Sequence, residues 1–171
     1  MVSLAIAHAL PALAVWGAIG AGLGALGPSR AIQAVAVVYA VLYGIAETFR
    51  LPLRAPSLRW QVPSTWVRDR TSRARIVIWG AVLGPGLMTR NPYAGMWLVP
   101  LALALVGDVR AGLVCGLLAG AAHGVARAYG LRSNVRSDRG RTDFALVADQ
   151  LRWRLVDGLA LLFAAGIIAL S

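Results

Sequence analysis

The chain predicts an all-α, polytopic transmembrane helix bundle of about five spans, and three observations carry that prediction. Hydrophobic residues fill 58 % of the 171 positions and charged residues only 14 %. Several apolar runs approach the ~20 residues that a helix needs to cross hydrocarbon. All 17 basic residues are arginine, and 14 of them lie in two segments, 50–75 and 127–154, that flank apolar runs. In a soluble protein a net charge of +10 would suggest nucleic acid. Arranged like this it is a topology signal, and no nucleic-acid partner is expected. The length leaves room for one transmembrane domain, 1–171, and no second.

The first span reads as residues 2–25. Pro11 lies inside it as a candidate kink, and Gly17, Gly20, Gly22 and Gly24 thin its second half for close packing. No basic region precedes it, so the expectation is a retained helix in a mature chain that begins at Met1. After the Gly27-Pro28-Ser29 turn, the second span covers 31–49. Its polar residues Tyr39, Tyr43 and Glu47 recur every four positions and so share one stripe. That stripe reads as interhelical hydrogen bonding, with a conduction path as the alternative.

Segment 50–75 holds seven arginines against one acid, Asp69, and three prolines that interrupt any helix. Trp60 and Trp66 suit the headgroup layer, where an indole has one wet and one apolar side. Topogenic charge explains this segment; anionic lipid headgroups or an acidic partner are the alternative ligands.

The apolar region 76–106 is 31 residues long, and as one helix it would measure about 46 Å against a hydrocarbon core of about 30 Å. Pro85 between Gly84 and Gly86, followed by Asn91-Pro92, breaks its hydrogen-bond ladder twice. Lipid cannot satisfy the freed groups, so this backbone is either covered by protein or lines a wet cavity. Gly84, Pro85, Gly86, Thr89, Arg90 and Asn91 are therefore the candidate substrate-binding residues. Arg90 facing inward would attract an anion or carboxylate; snorkelling to the outer interface is its plainer role.

The fourth span reads as 111–129. Gly112, Gly116, Gly120 and Gly124, four apart, strip one face of side chains and mark a packing surface. Its partner is either the Gly20/Gly24 face of the first span or another protomer. Cys115, the single cysteine, excludes an intrachain disulfide and reads as a small buried apolar residue. In segment 127–154, residues 136–141 read as a loop and Thr142 or Asp143 as a helix cap. Phe144, Val147, Leu151 and Leu155 begin an amphipathic surface helix that runs into a last span, 154–170.

Five crossings put both arginine-rich segments on the cytoplasmic side, with the N-terminus inside and the C-terminus outside, as in a plasma membrane. The broken region then supplies one crossing plus a re-entrant half. In that arrangement His8, Glu47, His123 and Asp157 fall at similar depth, with Tyr43 nearby. Ionisable groups inside a membrane usually face the bundle interior and pair. Such a group can relay protons, bind metal or hold b-type haem between His8 and His123. Structural pairing is the reading taken here, with no cofactor and no metal, and haem as the alternative. No H-E-x-x-H, G-x-S-x-G, Walker loop or Cys/His metal spacing is present.

At Gln61-Val62-Pro63, Trp66, Gly80, Leu83-Gly84-x-Gly86 and Thr89-Arg90-x-Pro92-Tyr93 the chain resembles a group of uncharacterised small polytopic membrane proteins of actinobacterial type. The pattern spans about a fifth of the chain. The Gly-rich break is also loosely similar to that of transmembrane reductant conductors, whose cysteine pair this chain lacks, so their redox activity is not carried over. What the resemblance implies is a compact bundle with discontinuous helices. The function expected is a non-catalytic integral membrane protein, either a transporter-like bundle working as a homo-oligomer or an accessory subunit of a membrane complex. The alternative is a haem- or lipid-handling membrane enzyme using His8 and His123.

Overall fold

The computed structural model describes the chain except residues 1, 57–61, 88–92 and 138–142, and describes backbone alone at 2–3, 131–137 and 143–149. Among the described residues all regular structure is helical: α1 (Val2–Gly24), α2 (Arg30–Thr48), α3 (Ser72–Leu83), α4 (Leu98–Ala104), α5 (Val109–Ser137) and α6 (Asp143–Leu170), with short 3-10 turns at Ser64–Trp66 and Gly95–Trp97. Side chains set several of the starts. Ser29 Oγ accepts the Ile32 N–H at 3.1 Å, Thr71 Oγ1 the Ala74 N–H at 3.3 Å, and Asp108 Oδ1 the Ala111 N–H at 2.7 Å. Each occupies a first-turn donor that has no intrahelical acceptor.

Four helices are long and apolar enough to cross a membrane: stretches of 21, 19, 22 and 21 residues in α1, α2, α5 and α6. At most 28 % of the residues in any of their windows are buried. Large apolar side chains such as Leu10, Val38, Leu118 and Phe163 face outward instead, Phe163 with 74 % exposure. An exterior of this kind suits lipid and would be an aggregation hazard in water.

Region 76–106 behaves differently from the other apolar runs. α3 stops at Leu83, and helical structure resumes only at Gly95. The 12 residues of α3 span about 18 Å and the 10 of Gly95–Ala104 about 15 Å, so neither crosses alone. The cause is local. The Gly84 N–H still reaches the Gly80 carbonyl at 2.8 Å, but Pro85 has no N–H, and Gly86 turns to φ +75°. That left-handed conformation suits glycine, and it lets the Gly86 N–H close a turn onto Leu83 O at 3.1 Å.

α5 outruns the expected 111–129 and continues to Ser137, so the second basic segment begins helical. Residues 125–137 contain no proline, and arginine is a good helix former. α6 is one helix from Asp143 through the amphipathic stretch to Leu170. The cap candidate Thr142 lies outside the described residues.

The long helices form two antiparallel pairs, α1 with α5 and α2 with α6. In the first pair Gly20 lies on the Gly112 carbonyl, Gly116 on that of Trp16, and Gly120 on that of Ala12, where a Cβ would have no room. The glycine ladder of α5 thus has α1 as its partner. In the second pair Gly44 meets Gly158 and Leu162, and Gln33 Nε2 donates to Ile168 O at 2.7 Å.

α3 runs parallel to α1, with Gly80 on the Ala7 carbonyl and Gly84 on that of His8. The Ala7 carbonyl is the one that Pro11 leaves without a helical donor, so the proline and the glycine contact belong together. α4 packs against both pairs: Leu103 joins Ala12 and Trp16, and Leu98 joins Ala36, Ala40, Leu161 and Ala165. The contacts Gly80–Ala7, Gly124–Ala9 and Glu47–Arg154 gather the start of α1, the end of α2 and the Arg154 turn of α6 at one end of the bundle. Gly24–Asp108 and Gly107–Pro28 mark the other end.

Cys115 corrects an expectation, because it is exposed. Gly116 takes the buried face of α5, and one residue back along a helix turns about 100° away from it. In a helix apolar all round, composition does not separate the inward from the outward side.

Candidate functional site

The described ends of the break are held by side chains from four other helices. At its first end Gly84, Pro85 and Gly86 are all buried. The Trp16 indole of α1 donates to the Pro85 carbonyl at 3.0 Å, out of contact with solvent. Arg127 of α5 extends its Nε to the Leu83 carbonyl at 3.4 Å, a long contact that still sets a cation at the carbonyl end of α3. The backbone that sequence reading offers to a solute is occupied at these positions. Thr89, Arg90 and Asn91, the side-chain half of that expected site, lie outside the described residues.

At the second end the Asp157 carboxylate of α6 accepts the N–H groups of Ala94 and Gly95, both at 3.1 Å. A Cβ at Gly95 would overlap the carboxylate and displace it. Tyr39 of α2 donates its hydroxyl to the Ala94 carbonyl at 2.8 Å, and the Trp97 indole donates to Pro56 O. A carboxylate at the amide end and a guanidinium at the carbonyl end match the dipoles of the two short helices.

The expected polar cluster is divided into two groups by the segment between the helix pairs. On the α2–α6 side Glu47 is buried and ion-paired with Arg154, whose Nη2 also reaches Leu51 O at 3.3 Å. Tyr43 donates to Arg54 O at 3.3 Å and stacks on Tyr39 with ring centroids 4.5 Å apart. All three members of the Tyr39–Tyr43–Glu47 stripe therefore bond away from their own helix.

On the α1–α5 side His8 is fully buried, its Nδ1 at 2.9 Å from the Leu4 carbonyl. A carbonyl only accepts, so Nδ1 is the donor in this contact. The Nε2 of His8 and that of His123 have no hydrogen-bond partner among the described residues. The His123 ring lies against Gly86, and the neighbouring Gly124 lies on the His8 carbonyl and Ala9. No hydrogen bond or ion pair links His8, Glu47, His123 and Asp157 to one another among the described residues. No three His, Cys, Asp or Glu side chains there are grouped as a metal site.

Sequence reading missed Trp16, Tyr39 and Arg127 as partners of the break. The signal was present in Trp16 and Arg127: an indole N–H deep in an apolar run, and an arginine one turn beyond His123, both need a partner inside the protein.

No family model matches the chain, and neither a curated protein nor a solved structure matches it.

Proposed function

We propose that this chain is a multi-pass integral membrane protein of the plasma membrane, non-catalytic, and an accessory subunit that docks a partner through its arginine-rich cytoplasmic face. The observation that carries this reading is that the two described ends of the break are bonded internally. Half-helix ends that bind a solute in transporters leave their amides or carbonyls free for it. Here Asp157 takes the amides of Ala94 and Gly95, Trp16 the Pro85 carbonyl, and Arg127 approaches that of Leu83. Groups bonded in this way hold helices together.

In the proposed topology, α3 and Gly95–Ala104 share a fifth, broken crossing. Their summed length of about 33 Å matches the hydrocarbon thickness. The antiparallel α1–α5 and α2–α6 pairs agree with this, and both basic segments then face the cytoplasm. The haem alternative has less support, because Gly124 sits on the His8 carbonyl and leaves no slot for a macrocycle between the two backbones. Transport by a homo-oligomer is the second reading, favoured by the unpartnered Nε2 atoms of His8 and His123 beside the break.

Purification in mild detergent separates the two readings. A stoichiometric second protein is the expected result. A monodisperse homo-oligomer that takes up solute in proteoliposomes, and loses uptake in His123→Ala, overturns the accessory reading.

A further inference from the structure

Arg50 is the one non-glycine residue with a left-handed backbone among the described residues, at φ 58°. It closes α2. The Leu51 N–H bonds Ala46 O at 2.8 Å and the Arg50 N–H bonds Glu47 O at 3.4 Å, the paired bonds of a helix end that ordinarily carries glycine at this place. Those bonds would form equally well with glycine, and arginine disfavours this backbone. What Arg50 adds must therefore come from its side chain.

The same turn folds Leu51, Pro52 and Leu53 back beside α2. With Leu42, Ile45 and Ala46 they line an apolar groove of about 360 Å³. Leu51 and Leu53 bring the groove to the surface, with exposures of 47 % and 45 %. Arg50 and Arg54 bracket the three loop residues, and both are exposed. Neither guanidinium has a hydrogen-bond or ion-pair partner among the described residues. The nearby acid, Glu47, is buried and already neutralised by Arg154, which donates to Leu51 O at the groove itself. The groove thus combines an apolar floor with two uncompensated cations, at the arginine-rich end of a helix of membrane-crossing length.

We infer that this groove holds an acyl chain of an anionic phospholipid from the surrounding bilayer, with Arg50 and Arg54 on its phosphate. Guanidinium is the natural partner for phosphate, and the junction of hydrocarbon and headgroups is where both halves of a lipid can be met at once. The inference rests on the membrane reading proposed above. The two fail separately: protein that stays in the membrane fraction but retains no lipid at the groove refutes the groove alone.

The test uses the full-length protein in dodecyl maltoside, mixed with equal amounts of dioleoyl phosphatidylglycerol and phosphatidylcholine, with retained lipid read by native mass spectrometry. Wild type is expected to keep phosphatidylglycerol about 25-fold over phosphatidylcholine, at about fivefold per arginine. Arg50→Gly should lower that retention about fivefold. Its melting temperature should hold or rise, since glycine suits the turn. Adding Arg54→Gln should abolish the preference.

Arg68→Gln with Arg70→Gln, in the same basic segment but away from the groove, should leave the preference intact. Equal loss in that control would mean diffuse charge and overturn the site. Undiminished preference in the Arg50/Arg54 variant overturns it as well. So does dissociation of an oligomer by Leu53→Gln with lipid retention unchanged, which would assign the groove to a second copy of the chain.

Discussion

The indole of Trp16 donates its Nε1–H to the carbonyl of Pro85 across 69 residues of sequence, in a buried contact of 3.0 Å. This bond ties the first long helix to the place where α3 ends. It also absorbs a carbonyl that no helical donor can reach, since the chain turns at Gly86. The contact is buried from solvent, so without this bond the carbonyl would lack a water to replace it.

Trp16→Phe keeps most of the apolar contact with Ala12 and Leu103 and removes the donor. The expected loss is about 1 kcal/mol, the usual net worth of one buried or intramembrane hydrogen bond, and up to about 3 if the carbonyl stays unsatisfied. Thermal unfolding in detergent measures it. A variant that melts with wild type would show that another donor serves Pro85.

The glycine contacts make a sharper prediction, because their neighbours are backbone atoms that cannot rotate aside. Gly20→Ala places a methyl on the Gly112 carbonyl, and Gly116→Ala places one on that of Trp16. Each should destabilise the α1–α5 pair by about 1–3 kcal/mol through overpacking. Gly22→Ala, on the open side of the same helix, meets nothing within 4 Å and should be neutral or gain about 0.5–1 kcal/mol of helix propensity. Equal effects at Gly20 and Gly22 would argue against this pairing.

What was legible in the sequence follows from which signals survive in a membrane. The four-residue spacing from Gly112 to Gly124 announced a packed face because glycine is conspicuous among larger apolar residues, and Gly20 and Gly24 announced one of its two candidate partners. Pro85 announced the break. Inside and outside were not legible, since both sides of such a helix are apolar; hence Cys115, next to the buried Gly116, was expected inside and lies outside. The partners of the break were not legible either. Asp157 meets backbone amides rather than an imidazole, and no spacing rule links residue 157 to residues 94 and 95. Five spans were expected from the placement of the arginines, with the broken region counted as one crossing; four helices have the length to cross alone.

Glu47 and Arg154 form a part-buried, asymmetric pair: the Glu47 side chain is 2 % exposed and that of Arg154 28 %. Removing the cation leaves a charge with no solvent, while removing the anion leaves an arginine that can turn outward. Arg154→Gln should therefore destabilise by about 3–5 kcal/mol, and Glu47→Gln by less. The double variant should recover part of the loss, because no unpaired buried charge remains. Unfolding midpoints for the four proteins complete the cycle. Strict additivity would mean that the two side chains do not depend on each other.

Cys115 supplies a test of the membrane placement without any engineered residue. It is exposed on α5, in the stretch Val109–Gly130 that is long and apolar enough to cross a membrane. It is the single cysteine of the chain, so any thiol signal is its own. If α5 spans the bilayer, an exposed residue away from α1 faces hydrocarbon, where it meets no water-soluble reagent. A charged, membrane-impermeant maleimide should leave it unmodified in sealed vesicles of either orientation. The same reagent should label it once the protein is unfolded in sodium dodecyl sulfate, and a small apolar maleimide should label it somewhat in the intact membrane. Rapid labelling by the charged reagent in sealed vesicles would put Cys115 in contact with water and remove α5 from the set of spans.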